Sequence, residues 1–130
     1  PMLGKDAELI GEIGDRDKSA FLSGAKALLM PIDWPEPFGL VMIEAMACGT
    51  PVIAYGHGSV PEIIEHGVTG FIVNNEEEAA QALKAADQLD RARIRRRFEA
   101  RFSARRMAQD YVNVYENLIL ARRPKLRLVQ

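Results

Sequence analysis

Short apolar runs that end in turn residues alternate along this chain with stretches in which apolar residues recur at helical spacing. That alternation is the signature of successive βα units and a parallel sheet. AELIGEIG, residues 7–14, predicts a first strand, followed by a helix from about Asp15 to Ala25. KALLMPI, residues 26–32, predicts a second strand, which leads through the Pro-rich loop DWPEP into the apolar helix of EPFGLVMIEAMACGTP, residues 36–51. Gly49 with Pro51 just beyond is a helix stop. PVIAY predicts a third strand that runs into GHG, and SVPE has the spacing of a capping box, with Ser59 capping a short helix through Ile64. HGVTGFIV predicts a fourth strand, Asn74 or Asn75 with EEE opens an acidic-started helix, and two further helices complete the chain. The expected fold is therefore α/β, a partial doubly wound parallel sheet of about four strands with C-terminal helices. In the strand order 3-2-1-4-5-6, AELIGEIG would stand at the outer edge and KALLMPI at the centre. An apolar edge left open beside KALLMPI would either pair directly with the first strand or self-associate with another copy.

Length and composition fit a single domain over residues 1–130, because 48% hydrophobic residues can fill one core. The segments 1–7 and 123–130 are expected to be flexible tails. No apolar run approaches the roughly 18 residues of a spanning helix, and the N-terminus lacks a basic start with a hydrophobic stretch. A cytoplasmic setting is expected. Cys48 is the single cysteine, without a second one for a disulfide or metal pair, and is expected to be a buried small hydrophobe. Charge is unevenly spread: residues 1–90 hold 5 Lys and Arg against 15 Asp and Glu, whereas residues 91–130 hold 12 against 3. Within RARIRRRFEARFSARR, Ile94, Phe98 and Phe102 fall at helical spacing, so the arginines are expected to form the wet side of helices lying against an acidic body.

One carboxylate, Glu44, sits inside the apolar run of the second predicted helix. A charge in such surroundings needs a protein partner or a ligand. Ligands of open parallel sheets lie beyond the carboxyl ends of the strands, which selects the loops DWPEPFG and YGHGSVPE. Gly39 offers no side-chain cap, so the first amides of its helix, Leu40 and Val41 included, form a ready anion site. Glu44 follows Leu40 on the same helix face, and Glu36 lies in a loop stiffened by Pro35 and Pro37. Two carboxylates bracketing an anion site suit a molecule with a phosphate in the middle and hydroxyls at both ends.

Glu36 and Glu44 bracket seven residues, and EPFGLVMIEAMACGTPVIA followed by GSVPEIIEHGVTGFIV resembles the donor half of a retaining, family-4-type glycosyltransferase. The resemblance covers about Glu8 to Tyr115. It implies a Rossmann-like domain of the GT-B arrangement and transfer of a sugar from a nucleotide diphosphate to an acceptor with retention, with no cofactor and no metal. It further implies that Glu36 contacts the transferred sugar and shapes the reaction centre. Amides of Phe38 and Gly39 would touch that sugar, those of Leu40 and Val41 would hold the diphosphate, and Glu44 would accept from the ribose hydroxyls. Gly58 and Ser59 could present amides to a phosphate or to the sugar, and His57 could add charge or simply be solvated. By the same resemblance the chain is the later part of the donor domain. It would lack the acceptor-binding domain and the basic glycine-rich turn, and would be inactive alone.

Two rival classes fit less well. A dinucleotide-binding dehydrogenase needs Gly-x-Gly-x-x-Gly after its first strand, but GHGSVP follows the third predicted strand and has Pro61 in the last glycine position. A non-catalytic nucleotide- or nucleic-acid-binding module built on the Arg-rich helices leaves the two-carboxylate helix without a purpose, so no nucleic-acid partner is expected.

Overall fold

A computed structural model describes residues 4–122. Of the expected tails, residues 1–3 and 123–130 lie outside that range, and Gly4–Ala7 forms an exposed turn closed by the Ala7 amide on the Gly4 carbonyl at 3.2 Å. The elements run α1 (Asp15–Gly24), β1 (Leu28–Met30), α2 (Leu40–Ala47), β2 (Val52–Tyr55), α3 (Val60–Ile63), β3 (Gly70–Val73), α4 (Glu76–Ala85), a 3-10 turn (Ala86–Gln88), α5 (Arg91–Phe102) and α6 (Ala104–Arg122).

The strands form a parallel sheet in the order β1-β2-β3, with Leu28 opposite Val52 and Ile53 opposite Phe71. A strand buried on both faces reads as a continuous apolar run, which is why VIA of the central β2 is buried throughout. Its Val52 and Ala54 pack with Met42, Met46, Val60, Ile63 and Ile94 from α2, α3 and α5. Ile53 faces the other way and meets Val73 and Ala82 under α4. Helices on both faces make the sheet doubly wound, as expected. β3 starts at Gly70 because its backbone lies against Val52, whose amide nitrogen would be 2.8 Å from a Cβ at that position.

The expected first strand does not form. Residues 7–14 pair with no other strand, and Leu9 and Ile10 remain 86% and 50% exposed. Gly11 at φ +73° breaks the extended path, and a strand without a neighbour has no partner for its backbone groups. Among the described residues the sheet therefore has three strands rather than about four, with β1 as one edge. The capping box at α3 is absent too. Ser59 has helical torsions and makes no cap bond, and its hydroxyl donates elsewhere. At α4 the cap is Asn75, whose side chain accepts from the Glu78 amide at 2.9 Å. Glu78 answers by accepting from the Asn74 amide at 2.9 Å.

The Arg-rich segment closes the structure. Ile94 of α5 is fully buried, Phe98 and Phe102 pack beside it, and Asp90 caps the helix. Amides of Arg93 and then Ala92 hold the Asp90 carboxyl below the usual carboxylate range, while burial opposes them. Arginines of α5 reach the last carbonyls of three other helices. Arg91 donates to Ser23 of α1 and to Ala25 just after it, Arg95 to Ala47 of α2, and Arg101 to Glu62 and Ile63 of α3. Those carbonyls lack intrahelical partners and carry the negative end of the helix dipole, so guanidinium groups suit them. Glu65 adds a carboxylate held by Arg97 at 3.1 Å and Arg101 at 3.0 Å. α6 extends beyond this body with no buried residue, exposing Met107, Tyr111, Val114, Tyr115 and Leu118.

Thr50 is fully buried where these contacts meet, donating to the Leu22 carbonyl at 2.7 Å and accepting from Arg91 at 2.8 Å. Thr50→Val keeps the shape but removes the buried hydroxyl, leaving the Leu22 carbonyl only the Ala25 amide and the Arg91 guanidinium only the Ser23 and Ala25 carbonyls. We expect a loss of about 2 kcal/mol, read as a lower urea midpoint at unchanged slope. An unshifted midpoint would show that the contact carries no net stability.

Candidate functional site

The loops that follow β1 and β2 meet at the carboxyl edge of the sheet and are held together by few groups. Gly39 enters α2 in the left-handed region, φ 69° and ψ 67°, where a Cβ would lie 2.7 Å from the Met42 side chain. Its helix has no side-chain cap. Among the described residues the amides of Leu40 and Val41 donate to no protein acceptor, so they remain open at the positive end of α2. The Gly39 amide, expected to be free, donates to Glu36 Oε1 at 3.2 Å. Glu36 thus curls back over the helix entrance, and a sugar approaching the Gly39 amide would have to share it with that carboxylate.

The second loop braces the first. The Ser59 amide donates to the Glu36 carbonyl at 3.0 Å, and the Ser59 hydroxyl donates to the Phe38 carbonyl at 2.8 Å. The Ser59 amide expected for a ligand is therefore already used. Gly58, at φ +55°, lies so close that a Cβ there would stand 2.5 Å from Glu36 N and 2.8 Å from Pro35 C. His57 reaches across the same gap, its Nε2 3.4 Å from Asp33 Oδ1. Phe38 and Leu40 stay exposed beside α6, where Ile43, Phe102, Met107 and Tyr111 complete a groove of about 480 Å³.

Glu44 finds the protein partner that its apolar neighbours imply it needs. Lys18 Nζ of α1 lies 3.0 Å from Glu44 Oε1 and 3.2 Å from Asp15. The hydrogen bond to Glu44 first, and that to Asp15 second, raise the lysine above its ordinary range. The surroundings are more open than the sequence suggests. The Glu44 side chain is 36% exposed and Leu40 63%, so α2 is not buried on every side. Glu44 opens onto a crevice of about 450 Å³ between α1 and α2, lined also by Lys18, Ser19, Cys48 and Arg95. Cys48 is accordingly half-buried rather than sealed in the core, with its thiol 3.7 Å from the Ser19 carbonyl. The sequence does not single out Lys18, whose one local signal is Asp15 one helical turn earlier.

Glu36, Phe38, Gly39, Leu40, Val41, Gly58 and Ser59 therefore converge, with His57 at the rim and Glu44 one turn further along α2. This arrangement can hold an anion on two amides and accept hydroxyls at either end. Among the described residues no group of His, Cys, Asp and Glu has the makings of a metal centre, and no helix is long and apolar enough to cross a membrane.

Comparison with known proteins agrees on one family. A family model described as glycosyl transferases group 1 matches residues 2–104. N-acetyl-alpha-D-glucosaminyl L-malate synthase of Bacillus anthracis is 32% identical over 116 residues, which cover 82% of this chain and 30% of that protein. D-inositol 3-phosphate glycosyltransferase of Streptomyces scabiei is 40% identical over 78 residues, 60% of this chain and 17% of that protein. Among solved structures, sucrose-phosphate synthase from Thermosynechococcus elongatus superposes with a TM-score of 0.71 at 32% identity, covering 86% of this chain and 30% of that one. The chain spans less than a third of the length of each of these proteins.

The close approach at Gly58 can be tested without a ligand. Gly58→Ala adds a methyl against the Glu36 backbone and strains a left-handed residue, so we expect a loss of more than about 1 kcal/mol. Amide shifts should change mainly over residues 33–41 and 56–60. A stable variant with an unchanged spectrum would contradict the packing described here.

Proposed function

The chain belongs to the glycosyl transferases group 1 family, and from that premise we propose that these loops hold the donor of a glycosyl transfer, a nucleotide-diphosphate sugar whose sugar passes to an acceptor with retention. The observation that carries this reading is the pair of open amides, Leu40 and Val41, standing between Glu36 and Glu44. The diphosphate would sit on those amides. As the bond from the sugar to the phosphate breaks, negative charge grows on the leaving diphosphate, and fixed amides at a helix N-terminus stabilise that charge without reorganising. Glu36, with the Phe38 and Gly39 backbone, would face the sugar, where its carboxylate favours the positive character that develops at the anomeric carbon. Glu44 would accept from the ribose hydroxyls. Lys18 occupies Oε1, so Oε2 is the oxygen offered to a ligand. Gly58 serves this site by close packing, and His57 at the rim can donate to a phosphate oxygen.

Binding and orienting the donor is the role proposed for these residues. Acceptor recognition is proposed to need the other part of a GT-B arrangement, since the chain covers 30% of the synthase it superposes on. Binding without turnover is the behaviour expected of the chain alone.

The reading is tested by titrating the chain with UDP, GDP and ADP. We expect the preferred nucleotide to bind with a dissociation constant near ~1 mM. Glu44→Gln should weaken it roughly tenfold, the loss of a hydrogen bond to a charged group, while the domain stays folded, because the ion pair lost with Lys18 is partly exposed and carries little stability. Absence of binding by all three at several-fold higher concentration would remove both Glu44 and the α2 amides from the site, and equal affinity in the variant would remove Glu44.

A further inference from the structure

We propose that Ser59 is a positioning residue: it sets Glu36 and Phe38 for the transferred sugar and does not itself touch the donor. This role rests on the reading of Glu36 as a contact to that sugar. The loop over residues 34–38 contains Pro35 and Pro37, which have no amide hydrogen, and the Glu36 amide bonds only locally, to the Trp34 carbonyl at 2.8 Å. Among the described residues, the hydrogen bonds that join this loop to another element both come from Ser59, through its amide to Glu36 and its hydroxyl to Phe38.

The anchor at the other end is rigid. Ser59 is only 8% exposed, and Val60 and Ile63, which follow it, are each 2% exposed in the core. Its carbonyl accepts from the Glu62 and Ile63 amides at 3.0 and 3.1 Å, tying it to α3. The hydroxyl forgoes the cap that a serine at this position ordinarily supplies to its own helix. A buried hydroxyl that leaves its helix end uncapped in order to reach another loop joins the core to Phe38, and with the amide bond to the Glu36 carbonyl it fixes both ends of the segment that carries the Glu36 side chain. Gly58 lets this happen, since no residue with a Cβ could bring Ser59 so close to the Glu36 backbone.

The consequence is separable from nucleotide binding. The Leu40 and Val41 amides belong to α2, and Glu44 is held by Lys18, so none of them depends on Ser59. The sugar contacts do. Loss of the hydroxyl should therefore erase what the sugar adds to affinity and leave what the nucleotide contributes.

The experiment compares UDP with UDP-glucose, GDP with GDP-mannose and ADP with ADP-glucose on the full chain, as wild type, Ser59→Ala and Ser59→Thr. In Ser59→Ala we expect nucleotide affinity within about twofold of wild type, while the preference for the sugar form falls to about one. Ser59→Thr, which keeps the hydroxyl, should restore the preference. A Ser59→Ala chain that keeps the wild-type preference, or loses nucleotide and nucleotide sugar equally, overturns the role. A second measurement needs no ligand: the Gly39 amide proton, bonded to Glu36, should respond to Glu36→Ala by losing protection from solvent exchange in wild type and Ser59→Thr but not in Ser59→Ala, where that bond is already lost. If the wild type itself shows no preference for a sugar form, the reading of Glu36 as a sugar contact fails. The Gly39 response then decides alone, an unchanged response in Ser59→Ala overturning the positioning of Glu36 and a lost one supporting it.

Discussion

Everything at the carboxyl edge of this sheet depends on α5 being clasped to the ends of the helices before it. Ile94, Phe98 and Phe102 supply the apolar contact, and Arg91, Arg95 and Arg101 supply donors to carbonyls that close α1, α2 and α3. A helix end packed into protein without donors would leave several carbonyls unsatisfied. Arg91, Arg95 and Arg101, three of the basic residues that make 91–130 positive, thus fix the helices that carry Lys18 and Glu44 and the helix that Ser59 leads into.

From that clasp the site follows in two independent parts. α1 and α2, held at their carboxyl ends, bring Lys18 to Glu44 and leave the amino end of α2 open to an anion. α3, held by Arg101, brings Ser59 and Gly58 against the Glu36 loop. The first part is a helix terminus with a carboxylate one turn inside it. The second is a short loop that has almost no hydrogen bonds of its own and takes its shape from a neighbour. On the proposed function, a donor molecule spanning both would read the nucleotide on one and the sugar on the other.

Local pattern made much of this legible. The continuous apolar run of β2, the amphipathic spacing of Ile94, Phe98 and Phe102, and the stop at Gly49 each state their structure within a few residues, and each appears as expected. The same is true of Asn75, where an Asx side chain meets an acidic first turn. What failed depended on distant partners. AELIGEIG alternates well enough for a strand, but a strand exists only beside another, and Gly11 turns the chain instead. SVPE has the letters of a capping box, yet the Ser59 hydroxyl has a better acceptor in a loop 21 positions away. Lys18 could not be chosen from its surroundings, because its partner lies 26 positions further on. Residues 36 to 44 stand together in the sequence and so suggest a set, whereas the groups that hold them in place lie far along the chain.

The central claim is that the amino end of α2 receives the phosphates of the donor, and an amide-resolved NMR titration of the chain with UDP, GDP and ADP tests it directly. The account predicts that, for the nucleotide that binds, the Leu40 and Val41 amide protons move most and saturate together, as open donors acquiring an anionic acceptor should. Saturating binding with those two amides unmoved, and the largest shifts on α5 or α6, would contradict it.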